Sequence, residues 1–136
     1  VRGRFAVRIP AAVARAARFG VGVPDRRDII WIDCNPQVDR EMRDVHPLLV
    51  LSPRAFNERT GLVIGLPMST AAYNETNPFA VRLSGPRGAV SFVLAHQPKS
   101  FDWGARGARP HPWKRATAEV YVRCSQTLGQ IVEISA

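Results

Sequence analysis

Apolar residues in this chain come in short runs divided by polar or Pro/Gly breaks, with helical spacing only near the end. Ile29-Ile30-Trp31-Ile32 is apolar on both faces. β-Branched and aromatic side chains bounded by charges predict an interior strand over 29–33, broken by Asn35-Pro36. Leu48-Leu49-Val50-Leu51 predicts a second strand, over 48–52, stopped at Ser52-Pro53. Asn57-Glu58-Arg59-Thr60-Gly61 reads as a turn, and 62–66 as a third strand ended by Pro67. Residues 69–78 form a polar loop without helical period. Phe79-Ala80-Val81-Arg82-Leu83 alternates, which buries one face and turns Arg82 outward. After a turn signal at 84–88, Val90, Phe92 and Leu94 alternate with Ser91 and Val93 in a fifth strand. Residues 99–103 add a short sixth piece, and 103–113 hold too much Gly and Pro for regular structure. In the tail, Val120, Cys124, Leu128 and Ile131 share a helical face, while Ala118, Val120, Val122 and Cys124 also fit strand alternation. The Pro-free length and Glu119 near the start favour a helix. Five or six short strands and one long helix, with neither βαβ rhythm nor internal repeats, predict a mainly β domain: a small, strongly bent sheet or barrel with a C-terminal helix.

Composition sharpens this picture without changing it. The 136 residues suit one domain, and a domain of this size buries roughly two-thirds of its unfolded surface, enough to be stable without disulfide or metal. The apolar share of 46% supports a core, and no run approaches the ~20 apolar residues of a membrane span. The net charge of +8 is uneven. Seven arginines against Asp25 give residues 1–27 a charge of +6 and leave only +2 for the rest. We therefore read a basic N-terminal arm over 1–24, with 11–19 suited to a short helix, and a compact domain over 25–136. The arm is expected to be idle or disordered, or to lie upstream of the translated product, with nucleic-acid contact as the second reading. Cys34 and Cys124 show no metal-type spacing and read as small buried residues. Their low number, and the lack of a signal-peptide pattern, predict the reducing cytoplasm.

The polar segment between the first two strands carries Arg40, Glu41, Arg43, Asp44 and His46. A charged loop held between two buried strands is the natural place for chemistry, although Glu41 paired with Arg40 or Arg43 is also an ordinary solvated acid. No His/Cys/Asp cluster has metal-ligand spacing, and 84–88 is too short and misplaced for a phosphate-binding loop.

With the strands placed, Arg-Asp-Ile-Ile-Trp-Ile-Asp, the charged loop, His-Pro-Leu-Leu-Val-Leu-Ser-Pro, Asn-Glu-Arg-Thr-Gly, Leu-Pro-Met-Ser-Thr, Pro-Phe-Ala-Val-Arg-Leu-Ser-Gly and His-Gln-Pro-Lys-Ser-Phe-Asp-Trp-Gly-Ala-Arg-Gly-Ala follow one another in order. Over about 23–108, this series resembles the MazF/PemK family of bacterial toxin endoribonucleases. The resemblance implies a compact β-barrel of the SH3-like, CcdB-like kind with helices, a homodimer, and a groove that binds single-stranded RNA or mRNA. It implies sequence-specific cleavage without metal or other cofactor. A cognate antitoxin whose tail occupies the same groove is implied too, with operator DNA met only as the toxin–antitoxin complex and no membrane partner.

Cleavage of this kind needs a base for the 2′-hydroxyl proton, a donor for the phosphate charge and an acid for the departing 5′-oxygen. Glu41 falls where the family carries a catalytic glutamate. His46 stands before Pro47 where the family usually has a catalytic arginine; a histidine exchanges protons near neutral pH, which arginine does not. Ser69 matches a substrate-binding hydroxyl, with Thr70 beside it, and His96 matches an aspartate used in binding or catalysis. The resemblance makes Glu41, His46, Ser69 and His96 the catalytic candidates, with His46 and His96 a base and acid pair if the fold unites them. Arg40, Arg43, Thr70, Lys99, Trp103 and Arg106 are the RNA-binding candidates. Trp103, Arg106, Arg109 and Trp113 interleave cations with aromatics, a composition suited to single-stranded RNA, though one tryptophan plugged into the core explains it equally well.

Four further positions depart from the family pattern. Arg27 stands where Gly opens the first strand, so a positive φ there would strain the chain by about 1 kcal/mol or more. Cys34 replaces an aromatic, Asp39 a loop glycine, and Gly104 an arginine. These departures fit a divergent nuclease, or a weakened relative that binds RNA or antitoxin only; a gyrase poison of the same fold is the remaining alternative.

Overall fold

A computed structural model describes residues 22–34 and 45–133. Seven strands and two helices follow in the order β1 (Asp28–Asp33), β2 (Val45–Val50), α1 (Arg54–Thr60), β3 (Leu62–Ser69), β4 (Ala80–Ser84), β5 (Val90–Leu94), β6 (Lys99–Asp102), β7 (Arg109–Arg115) and α2 (Ala118–Val132). The sheet runs β4-β5-β3-β2-β1-β7 with β6 added against β3, and every pairing is antiparallel. It curls into a half-barrel, with α2 packed on one cluster of its core and against β4.

The doubly apolar first strand has a direct structural reason. Ile30 and Ile32 point into one cluster with Cys34, Leu48, Val50, Val63, Phe101 and Trp103, while Ile29 points into a second with Leu49, Leu66, Val81, Val93 and Cys124. In-register pairs Ile30↔Leu48 and Ile29↔Leu49 send matching residues to the same face. Strand β3 pairs with β6 over Leu62–Gly65, with β2 over Gly65–Pro67 and with β5 from Met68, so it bends across the sheet. Gly65 permits the crossing: a Cβ there would sit 2.6 Å from the Leu49 carbonyl oxygen and 2.8 Å from the Leu48 side chain. On the helix α2, Thr117 caps the first turn by accepting from the Val120 N–H at 3.2 Å, and Val120, Cys124 and Leu128 pack on the second cluster. Ile131, expected on that face, is 43% exposed.

Several expectations are corrected. Residues 54–60 form helix α1 rather than a turn at 57–61; it is too short to show a period, and Gly61 ends it at φ 73°. Its anchor is the fully buried Asn57, whose amide donates to the carbonyls of Pro24 (2.8 Å) and Ser52 (3.0 Å). The polar loop 69–78 contains a 3-10 turn at Ala72–Thr76. Ser91, Phe92 and Val93 are all buried, so β5 has no solvent face. The Gly/Pro-rich segment, expected to be irregular, supplies strand β7, the seventh among the described residues. Its two prolines, Pro110 and Pro112, are tolerated because β7 is an edge strand, where missing N–H groups leave no partner unpaired. Packing begins before residue 25: Val23 lies on the first cluster and Pro24 is buried.

Arg27 does adopt φ 78°. Three hydrogen bonds hold it there: its N–H donates to Val50 (2.9 Å), its carbonyl accepts from Ala116 (2.9 Å), and its Nε donates to the Ala116 carbonyl (3.0 Å). The strain is thus met by ties that join β1 to β2 and to the entry of α2.

Candidate nucleic-acid groove

An open groove of about 690 Å3 lies on the sheet face of the second cluster, lined by Trp31, His46, Pro47, Ser69, Thr70, Tyr73, Ser91, Gln97, His111 and Trp113 among others. Strands β1 and β2 pair through Asp33↔Val45 and Ile32↔His46, so the described chain ends that flank residues 35–44 lie side by side at one end of this strand pair. Glu41, Arg40 and Arg43, with Asp39, lie outside the described residues.

Alternation puts Pro47 on the groove face with its partner Trp31 and assigns His46 to the face of Ile32 and Leu48. His46 therefore sits at the rim, half-buried, on the side from which the loop departs. Ser69 ends β3 opposite Phe92. Its Oγ accepts from the Ala71 N–H at 3.1 Å, and its carbonyl accepts from the Ser91 hydroxyl at 3.2 Å. The turn expected of a Ser-Thr pair is present, and it fixes the Oγ while leaving the hydroxyl proton to donate. Thr70 beside it is exposed.

His96 does not line the groove; its neighbour Gln97 does. The His96 ring is tilted against Phe79 at 5.4 Å, one ring nitrogen faces the Gln97 amide at 3.3 Å, and Nδ1 is buried without a hydrogen-bond partner. The groove thus gathers His46, Ser69 and Thr70, and His96 lies outside its lining. Lys99, Trp103 and Arg106 are also absent from the groove lining. Trp103 is fully buried and its indole N–H donates to the Asn57 carbonyl at 2.9 Å, so it has no face to offer a base. Its expected RNA-binding role is withdrawn on that ground. Arg106 lies over the Phe101 ring at 5.7 Å, and its carbonyl accepts from the Asp33 N–H at 2.9 Å. Burial pushes the Cys34 thiol pKa up, opposed by the charges of Arg106 and Lys99. Arg106 therefore lies beside the end of β1, on the first-cluster side, and Lys99 pairs with Gly65 on β3.

Trp31, Tyr73, Gln97 and His111 were missed in the sequence. Trp31 reads there as core filling, and His111 as part of an irregular segment. The strand pairing β1–β7, which brings the two together, has no local signal.

Among the described residues no helix is long and apolar enough to cross a membrane. The family model for PemK-like, MazF-like toxins of type II toxin–antitoxin systems matches residues 25–132. The chain is 42% identical over 86 residues to the endoribonuclease toxin MazF of Escherichia coli K12, covering 63% of this chain and 75% of that protein. It is 30% identical over 87 residues to the endoribonuclease PemK of Escherichia coli, covering 62% and 65%. The crystal structure of MazF from Deinococcus radiodurans superposes with a TM-score of 0.73 at 34% identity, over 83% of this chain and 99% of that one. A MazE–MazF structure from the same organism gives 0.72 at 33% identity, over 84% and 100%.

Proposed function

The chain belongs to the family of PemK-like, MazF-like toxins of type II toxin–antitoxin systems, and on that premise we propose that its groove cuts single-stranded RNA by internal attack of a 2′-hydroxyl. It is an endoribonuclease toxin, and an antitoxin is its protein partner. Our reading adds where and how the reaction runs.

The observation that carries it is the gathering of His46, Ser69 and Thr70 around one groove at the point where the loop bearing Glu41 departs. Glu41 takes the proton of the 2′-hydroxyl. The freed oxygen bonds to the adjacent phosphorus, and the bond from phosphorus to the 5′-oxygen breaks. His46, at the rim, holds the phosphate or gives the proton that the leaving 5′-oxygen takes up. Ser69 and Thr70 donate hydrogen bonds to the strand nearby. The products are a 2′,3′-cyclic phosphate and a 5′-hydroxyl, and the nucleophile belongs to the substrate, so DNA is spared. Arg40, Arg43, Lys99 and Arg106 supply positive charge near the loop. The same reading makes the protein a homodimer acting on mRNA in the cytoplasm, where the antitoxin competes for the groove.

The test is cleavage of an RNA pool in EDTA, with the termini identified chemically. Cyclic phosphate and 5′-hydroxyl ends are expected, with kcat reduced about 100- to 10,000-fold in His46→Ala and Glu41→Gln. A folded chain that leaves RNA intact, or cuts only when divalent metal is added, overturns the reading.

A further inference from the structure

Three rings wall one side of the groove. Trp31 of β1 and His111 of β7 have centroids 4.6 Å apart, tilted by 40°, and His111 meets Trp113 edge-on at 5.5 Å. All three are half-buried, so each leaves part of its ring toward the opening. Trp113 is seated from behind: a Cβ on Gly85, in the β4–β5 turn, would overlap its indole. His111 is held by a hydrogen bond, its Nδ1 accepting from the Trp113 backbone N–H at 3.0 Å. Burial holds the His111 pKa below its ordinary value, which keeps the ring neutral. A neutral imidazole that accepts at Nδ1 carries its proton on Nε2. Among the described residues none accepts that Nε2–H.

Edge strand β7 therefore presents two aromatic surfaces and one directed donor to the groove. That is the chemistry which recognises an unpaired base: a sequence-tolerant stacking surface plus a hydrogen bond to the base edge. We propose that Trp31, His111 and Trp113 form a base-binding subsite, in which one unpaired RNA base stacks on the ring cluster and accepts a hydrogen bond from Nε2–H of His111. The subsite selects one nucleotide of the cleavage sequence. The proposal rests on the nuclease reading for the identity of the polymer, but not on the roles given to Glu41 or His46.

The test is binding of full-length chain to single-stranded RNA that is 2′-O-methylated throughout and so has no nucleophile, read by tryptophan fluorescence. Trp103 is buried and gives a constant background; Trp31 and Trp113 report the groove. Wild type is expected to be quenched and to discriminate between oligonucleotides that differ at one position. His111→Ala should bind about tenfold more weakly. His111→Phe should recover most of the affinity and lose the discrimination, a separation that a purely structural role for the ring does not produce. Equal affinity and equal discrimination in wild type and a folded His111→Ala overturn the proposal, as does the absence of quenching by RNA even where an antitoxin-like peptide quenches. A chain that binds, quenches and discriminates as described but leaves unmodified RNA intact refutes the nuclease reading while supporting the subsite.

Discussion

Trp103 and Trp113 come from the same Gly- and Pro-rich stretch and take opposite places in the molecule. Trp103 is fully enclosed by the first cluster, its N–H bonded to the Asn57 carbonyl of α1. Trp113 stands half-buried on edge strand β7, resting on Gly85 and touching His111. Because β4 and β7 are the two ends of the main sheet path, the contact between Trp113 and the β4–β5 turn joins them. One indole fills the barrel, and the other closes it and borders the groove. A tryptophan's role is set by what packs against each of its faces, not by the cations beside it in sequence.

If that division is right, substitutions should separate stability from RNA binding. The largest effect is expected for Trp103→Ala, which removes a fully buried side chain and one of the two N–H donors, with that of Gly61, to the Asn57 carbonyl. It should lower the unfolding free energy by about 3–5 kcal/mol in a denaturant titration, with RNA affinity per folded molecule unchanged. Gly85→Ala should act on both properties. The added methyl group must displace Trp113, at about 1–3 kcal/mol for overpacking in the same titration, and RNA binding should weaken as the ring moves. Loss of stability with unaltered RNA affinity would show that Trp113 serves closure alone.

The smallest effect is electrostatic. The folded pKa of His111 is depressed below the ordinary 6.5 by burial, so between the folded and unfolded values the unfolded chain binds more protons. Stability is complete above the unfolded value and falls as pH drops through the folded one. Protonation also turns Nδ1 into a donor and breaks its bond with the Trp113 N–H. Comparing wild type with His111→Gln from about pH 7 down to about pH 5 should show wild type losing stability relative to the variant. A constant difference would place the ring in solvent.

The sequence was most informative where packing leaves a local mark. The doubly apolar 29–32 became an interior strand because neighbours bury both faces, and the period of 120–128 became the docking face of α2. Arg27 at a glycine position announced a positive φ, and the three hydrogen bonds that hold it came only with the fold. Helix α1 and strand β7 were illegible: one is too short for a period, and the other carries prolines that only its edge position excuses. The candidate site divided in the same way. His46, Ser69 and Thr70 were found by motif and meet in the groove, whereas Trp31 and His111 meet only through the pairing of β1 with β7, far apart in sequence. Trp103 was misplaced because burial of a loop residue depends on distant partners, here Asn57.

The central claim, that RNA lies on the groove face and the Trp103 face is structural, is tested most directly by photocrosslinking. Single-stranded RNA bearing 4-thiouridine and 2′-O-methyl groups would be bound to the full chain, irradiated, and the attached peptides identified by mass spectrometry. Crosslinks to Trp31, Tyr73, His111 or Trp113 are predicted. Attachment confined to residues 99–106, with those four rings unmarked, would contradict the account.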